Sequence, residues 1–180
     1  DFELEIDDTD TISILYNMGN ETLLHTINGQ ISTTEAVFQH EHIHDDIGLT
    51  MDGYGLLQMY STSLYNNTTT VKLQRSLANQ NNQITQNPTL SFLANTENST
   101  VGDIIFADFN NDGFDDVVYS EPNADTLLLT DNGLVSVHYG SQSGIGLMPN
   151  LTFEGPTNSS NLGHGLAVGD FNGDNYLDPV

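Results

Sequence analysis

No cysteine occurs among the 180 residues, and Lys72 and Arg75 are the whole basic complement. The first absence removes disulfides, zinc ribbons and cysteine nucleophiles. The second stands against 25 acidic residues, for a formal charge of −23. That balance removes nucleic acid as a partner, because such binding depends on Lys and Arg neutralising phosphates. It also disfavours anionic membrane surfaces. No apolar run approaches the roughly 20 residues that a membrane-spanning helix needs, so no membrane insertion is expected. No signal peptide is present, although a mature secreted chain would have lost it. No Ser-His-Asp ordering, phosphate-cradling glycine loop or basic patch stands out. No catalytic residue is therefore assigned, and the chain is expected not to be an enzyme.

What the chain does have is one acidic loop written twice. The first copy runs Asp108-Phe109-Asn110-Asn111-Asp112-Gly113-Phe114-Asp115-Asp116, and the second Asp170-Phe171-Asn172-Gly173-Asp174-Asn175-Tyr176-Leu177-Asp178. Each places oxygen side chains at loop positions 1, 3, 5 and 9, with a turn-permitting residue, Gly113 or Asn175, at position 6. Calcium takes six to eight hard oxygen ligands at about 2.3–2.6 Å, so a short loop must curl its carboxylates around one point. The first loop offers Asp108, Asn110, Asp112 and Asp116 with the carbonyl of Phe114. The second offers Asp170, Asn172, Asp174 and Asp178 with the carbonyl of Tyr176. Ca²⁺ is the expected cofactor. DFNxD could be no more than a polar turn, but two copies with matching aromatics at positions 2 and 7 argue for the metal loop. Neither has the position-12 glutamate that closes an EF-hand, and a strand-like Val117-Val118-Tyr119 follows the first.

The repetition extends beyond the loops. Asp52-Gly53-Tyr54, Asp112-Gly113-Phe114 and Asp174-Asn175-Tyr176 recur at a period of about 60 residues, preceded by Ile47-Gly48-Leu49, Ile104–Ala107 and Leu166-Ala167-Val168. Upstream lie the β-patterned segments Ile12–Tyr16, Val71–Gln74 and Val135–Tyr139. Asn132-Gly133, between Leu127-Leu128-Leu129 and Leu134-Val135, reads as a type I′ hairpin turn. These features predict an all-β fold of three repeats built from small antiparallel sheets, at residues 1–62, 63–125 and 126–180. In the first repeat Gly48, Thr50 and Leu56 fall at positions 1, 3 and 9 and only Asp52 survives, so no metal is expected there. A neutral packing contact is expected instead.

Ser99-Thr100-Val101-Gly102, the Asp108–Asp116 loop, Val117–Pro122 and Asn132–Gly140 together resemble the FG-GAP repeats of integrin α-subunit β-propellers. The likeness is good over residues 98–180 and weak over 1–97. Ser120 and Glu121 stand where Gly-Ala is usual in that family, and Asn175 replaces a glycine. The resemblance implies β-propeller blades braced by calcium, and supports carrying metal ligation, rather than any particular partner, onto these loops. A seven-bladed propeller would need about 420 residues at this period. The chain is thus expected either to be a segment of a longer protein or, as the preferred reading, to pack with neighbouring copies.

His40-Glu41-His42-Ile43-His44 satisfies H-E-x-x-H, which on a helix would bind zinc and leave Glu41 to polarise water. Ile47 and Thr50 stand where the longer metzincin form wants glycine and histidine, and a polar surface strand is the better reading. Asn79–Gln83 reads as a solvated low-complexity turn. Glycosylation sequons stand at Asn20, Asn66, Asn67, Asn98, Asn150 and Asn158. With the calcium loops they point to an extracellular or cell-surface glycoprotein. The expected function is a calcium-stabilised structural or adhesive repeat protein that self-associates into a filament or array. One alternative is a propeller segment of a cell-surface receptor or secreted enzyme that binds protein or glycan ligands; the other is a zinc hydrolase using His40 and His44.

Overall fold

The computed structural model describes residues 2–6, 12–18, 21–28, 31–39, 44–51, 57–65, 68–75, 90–93 and 99–180. Among them every regular element is a strand. A first antiparallel meander contains β1 (Phe2–Ile6), β2 (Ile12–Met18), β3 (Glu21–Asn28) and β4 (Ile31–Gln39). A second contains β5 (His44–Met51), β6 (Leu57–Tyr65), β7 (Thr68–Arg75) and β8 (Leu90–Leu93). The third has β9 (Ile104–Ala107), β10 (Asp116–Glu121), β11 (Leu134–His138) and β12 (Leu151–Glu154), and β13 (Val168–Gly169) pairs with β14 (Asp178–Pro179) in a two-stranded sheet. Small all-antiparallel sheets in chain order are the blade arrangement expected of FG-GAP-type repeats.

The described residues fall into two compact units, 1–65 with 70–92 and 66–69 with 93–180. In the first, Leu15 and Leu24 pack against Ile47, Leu57 and Met59, with Leu49 and Met51 at the margin. Each such burial contributes about 1.5–3 kcal/mol. In the second, Val118, Val135 and Val137 form the core, and Phe109, Tyr139, Leu162 and Leu166 pack onto it. Strand β10 is buried along its whole length, so both faces of the third sheet are covered at its centre. That fits the unbroken Val117-Val118-Tyr119 run at the middle of β10, where a half-exposed strand would alternate, with the buried carboxylates Asp116 and Glu121 at its two ends.

Two expectations are corrected. The sheets are out of phase with repeats counted from loop to loop: a boundary at 62/63 falls inside β6, and one at 125/126 falls between β10 and β11 of a single sheet. Likewise Ile12–Tyr16 lies in the second strand of its sheet, while Val71–Gln74 and Val135–His138 lie in third strands. The hairpin also differs, because β11 pairs with β10, Glu121 facing Leu134. Leu127 and Leu128 instead form an exposed turn closed by reciprocal backbone bonds between Thr126 and Leu129, both 3.1 Å. Positive φ falls at Asp131 and Gly133, not at Asn132. The Asn132 side chain is buried and bonded to the Thr126 hydroxyl and the Gly155 carbonyl, both at 3.0 Å. It pins a long loop instead of capping a short one.

The zinc alternative loses its helix. The helical reading needs His40 and His44 on one helix, but His44 opens strand β5 opposite Ser63. Residues 40–43 lie outside the described residues, as do Asp52–Leu56, Asn79–Gln83 and the sequons at Asn20, Asn66, Asn67 and Asn98. Among the described residues no helix is long and apolar enough to cross a membrane.

Candidate metal centre

Both acidic loops join the first strand of a sheet to the second. Asp116 is the first residue of β10, facing Ala107, and Asp178 is the first of β14, facing Gly169. Position 9 of each loop therefore closes the hairpin at the same register point.

Five backbone-to-side-chain bonds recur at matching positions of both loops. In the first loop the N–H groups of Asp112 and Gly113 donate to the two oxygens of Asp108 at 3.0 and 2.8 Å. Asp112 N–H also reaches Asn110 Oδ1 at 2.9 Å, and Phe114 N–H reaches Asp112 Oδ1 at 2.9 Å. Phe109 N–H donates to Asp116 Oδ2 at 3.0 Å. In the second loop Asp174 and Asn175 donate to Asp170 at 3.1 and 3.0 Å, Asp174 to Asn172 at 2.8 Å, Tyr176 to Asp174 at 2.8 Å, and Phe171 to Asp178 at 3.1 Å. Every oxygen-bearing position named in the sequence is thus brought into one of two nine-residue turns. Residue types that hydrogen-bond their own backbone locally fold this way.

One feature of that turn escaped the sequence reading. Positive φ occurs at position 4 as well as position 6: Asn111 at 57° and Gly113 at 89°, then Gly173 at 80° and Asn175 at 68°. The signal was present, since both position-4 residues are of the types that tolerate a left-handed backbone. The matching phenylalanines at position 2 differ in what they do. Phe109 packs on the Val118 core and anchors the first loop, whereas Phe171 is 62% exposed.

Asp116 is the electrostatic centre of the first loop. Fully buried, it accepts Phe109 N–H and, at 2.7 Å, Gly140 N–H from the β11–β12 connection. Burial pushes its carboxyl up from 3.8 to about 6 against those two donors, and repulsion from Asp112 and Asp108 adds to the rise. Three carboxylates therefore feel one another, and their chemistry, with Asn110 and a backbone carbonyl, suits a hard divalent cation. In this geometry, among the described residues, no three His, Asp or Glu side chains converge closely enough to hold an ion. The donor set fits Ca²⁺; ligation would require the carboxylates to draw inward. In the first repeat the equivalent positions Gly48 and Thr50 are paired in β5 with Tyr60 and Gln58, and the Tyr60 ring lies directly over Gly48.

Residues 101–138 match the FG-GAP repeat family. A 74-residue stretch is 40% identical to phosphatidylinositol-glycan-specific phospholipase D of Rattus norvegicus, and another comparison gives the same 40% over 74 residues for the Mus musculus protein of that name. Each match covers 41% of this chain and 9% of the relative's length. The expectation of a non-enzyme is thereby corrected: both relatives are named as enzymes. Composition and motifs missed this because a match confined to 9% of a relative carries no obligation to include its reacting groups.

Proposed function

We propose that the chain is a calcium-braced, propeller-type portion of an extracellular enzyme similar to phosphatidylinositol-glycan-specific phospholipase D. The observation that carries the reading is the set of five hydrogen bonds repeated in the two acidic loops, at one register point of successive sheets, within and beside an FG-GAP repeat. Asp108, Asn110, Asp112 and Asp116 with the Phe114 carbonyl would hold one ion. Asp170, Asn172, Asp174 and Asp178 with the Tyr176 carbonyl would hold a second. Bound calcium would supply positive charge where three carboxylates otherwise repel, locking the hairpin between two strands. Two ions would still leave about nineteen net negative charges, which suits a substrate approached without electrostatic attraction to anionic lipid.

Calcium calorimetry and elemental analysis test the brace. Two ions per chain, with unfolding shifted to higher temperature, are expected; no bound calcium would sink it. For the enzyme, the whole protein is incubated with a phosphatidylinositol-glycan substrate and phosphatidic acid is assayed. No product, with the fold intact, would remove the phospholipase reading while leaving the brace.

The sequons at Asn150 and Asn158 fit an extracellular setting. Both side chains are exposed, and each uses its Oδ1 to accept a backbone N–H, from Tyr139 at 2.8 Å and Thr130 at 3.0 Å. A glycan attached to Nδ2 would leave those bonds in place. On the edge strand β12, Leu151 and Phe153 are exposed, which favours neighbouring repeats or a second chain as the partner of that edge.

A further inference from the structure

The two loops solve the same turn with their residues exchanged: Asn then Gly at positions 4 and 6 of the first, Gly then Asn in the second. Glycine adopts a left-handed φ freely and asparagine only at a cost. The second loop therefore carries the costlier residue at position 6, directly before Tyr176, whose carbonyl is the candidate ligand. The peptide joining Asn175 to Tyr176 is clamped at both ends. Tyr176 N–H donates to Asp174 Oδ1 at 2.8 Å, and the Asn175 carbonyl accepts a hydrogen bond at 3.0 Å from Asn111 Nδ2. That second donor comes from position 4 of the other loop. Holding both the C=O and the N–H of one peptide fixes its plane, and so fixes the turn that leads into Tyr176. A parallel tie joins the strands' leading segments, where Leu166 N–H donates to Asp103 Oδ2 at 2.8 Å.

We propose that Asn111 is a positioning residue that couples the two acidic loops. Closure of the first loop aims the Asn111 amide at Asn175 and holds the second loop in its left-handed turn. The coupling rests on reading these loops as paired sites, but it acts on the backbone and is measurable without an ion. It offsets the cost of asparagine at position 175, a turn that glycine would adopt freely.

Asn111→Gly is the direct test, since glycine keeps the φ of 57° and Gly173 already fills position 4 of the second loop. Amide exchange is read by NMR on the full chain in EGTA. The Tyr176 amide is expected to exchange about 3- to 10-fold faster in the variant, while Phe114 changes by less than about twofold. Adding Asn175→Gly should return Tyr176 to the wild-type rate, because glycine holds the turn unaided. Equal Tyr176 rates in wild type and Asn111→Gly overturn the coupling. Calcium calorimetry on the same proteins separates the two ideas. Two ions with only the second site weakened by Asn111→Gly supports the coupling, and two ions with unchanged affinities overturns it. No calcium binding at all overturns the metal reading, and the exchange rates then judge the coupling alone.

Discussion

Asp116 accepts the backbone N–H of Gly140 at 2.7 Å, which ties the start of β10 to the connection that leaves β11. The bond is buried, and the other carboxylate oxygen holds Phe109 N–H at 3.0 Å. One side chain therefore fixes two loops at once.

Removing it should cost more than an ordinary surface change. Asp116→Ala leaves two backbone N–H groups without their acceptor, and each unsatisfied buried donor costs about 1–3 kcal/mol. We expect a total loss of about 2–4 kcal/mol by urea unfolding. Asp116→Asn retains one acceptor oxygen and should lose about half as much. Equal stability of wild type and Asp116→Ala would show that water replaces the carboxylate at no cost.

Asp112 and Asp115 separate ion binding from folding. Asp112 is exposed and lies at position 5, while Asp115 is buried at position 8 beside the close approach of Gly140 to its backbone. Asp112→Ala is expected to weaken calcium binding at least about tenfold with a small change in ion-free stability. Asp115→Ala should lower the melting temperature while leaving calcium affinity within about twofold. The reverse pattern in calorimetry and thermal melts would mean that the ligand assignment is displaced along the loop.

The loops were legible because their chemistry is local. Alternating Asp and Asn within nine residues dictates its own backbone hydrogen bonds, and the pairing of Ala107 with Asp116 and of Gly169 with Asp178 follows from the short hairpin. The phase of the sheets was not legible, since a repeat has no natural start in the sequence. Nor was the 122–133 connection. Its conformation is set by Asn132 reaching Gly155, 23 residues away, and Asn-Gly read locally gives the wrong turn. Asn111 likewise shows nothing of its reach to Asn175, because its partner is a backbone carbonyl 64 residues on.

His138 should make stability depend on pH. It is buried, stacked on Tyr119 with ring centroids 5.6 Å apart, and bonded through Nδ1 to the Gly146 carbonyl at 2.8 Å. Burial lowers its pKa below 6.5, partly opposed by that bond. The unfolded chain then binds the proton more readily than the folded one, so this contribution is whole above about pH 6.5 and declines as pH falls toward the folded value. The limiting slope is about 1.4 kcal/mol per pH unit for one proton. Urea unfolding between pH 7.5 and 5 should show a shallower slope for His138→Gln than for wild type. Parallel profiles would mean that the ring titrates alike in both states.

The first repeat cannot be given a metal site by restoring its ligand. Gly48 pairs with Tyr60 across the sheet, and a Cβ at that position would run into the Tyr60 ring. Moving the ring aside would break the bond its hydroxyl donates to Asp46 Oδ2 at 2.8 Å. Gly48→Asp therefore meets a steric clash and places a carboxylate in a buried slot on a strand. Overpacking alone costs about 1–3 kcal/mol, and burying an unpaired polar group adds to it. We expect a lower melting temperature and no additional calcium by calorimetry. Gly48→Ala should show the steric part of the loss without the charge. A third ion bound by Gly48→Asp at undiminished stability would mean that strand β5 opens into a loop on demand, and that the Tyr60–Asp46 bond is too weak to hold it shut.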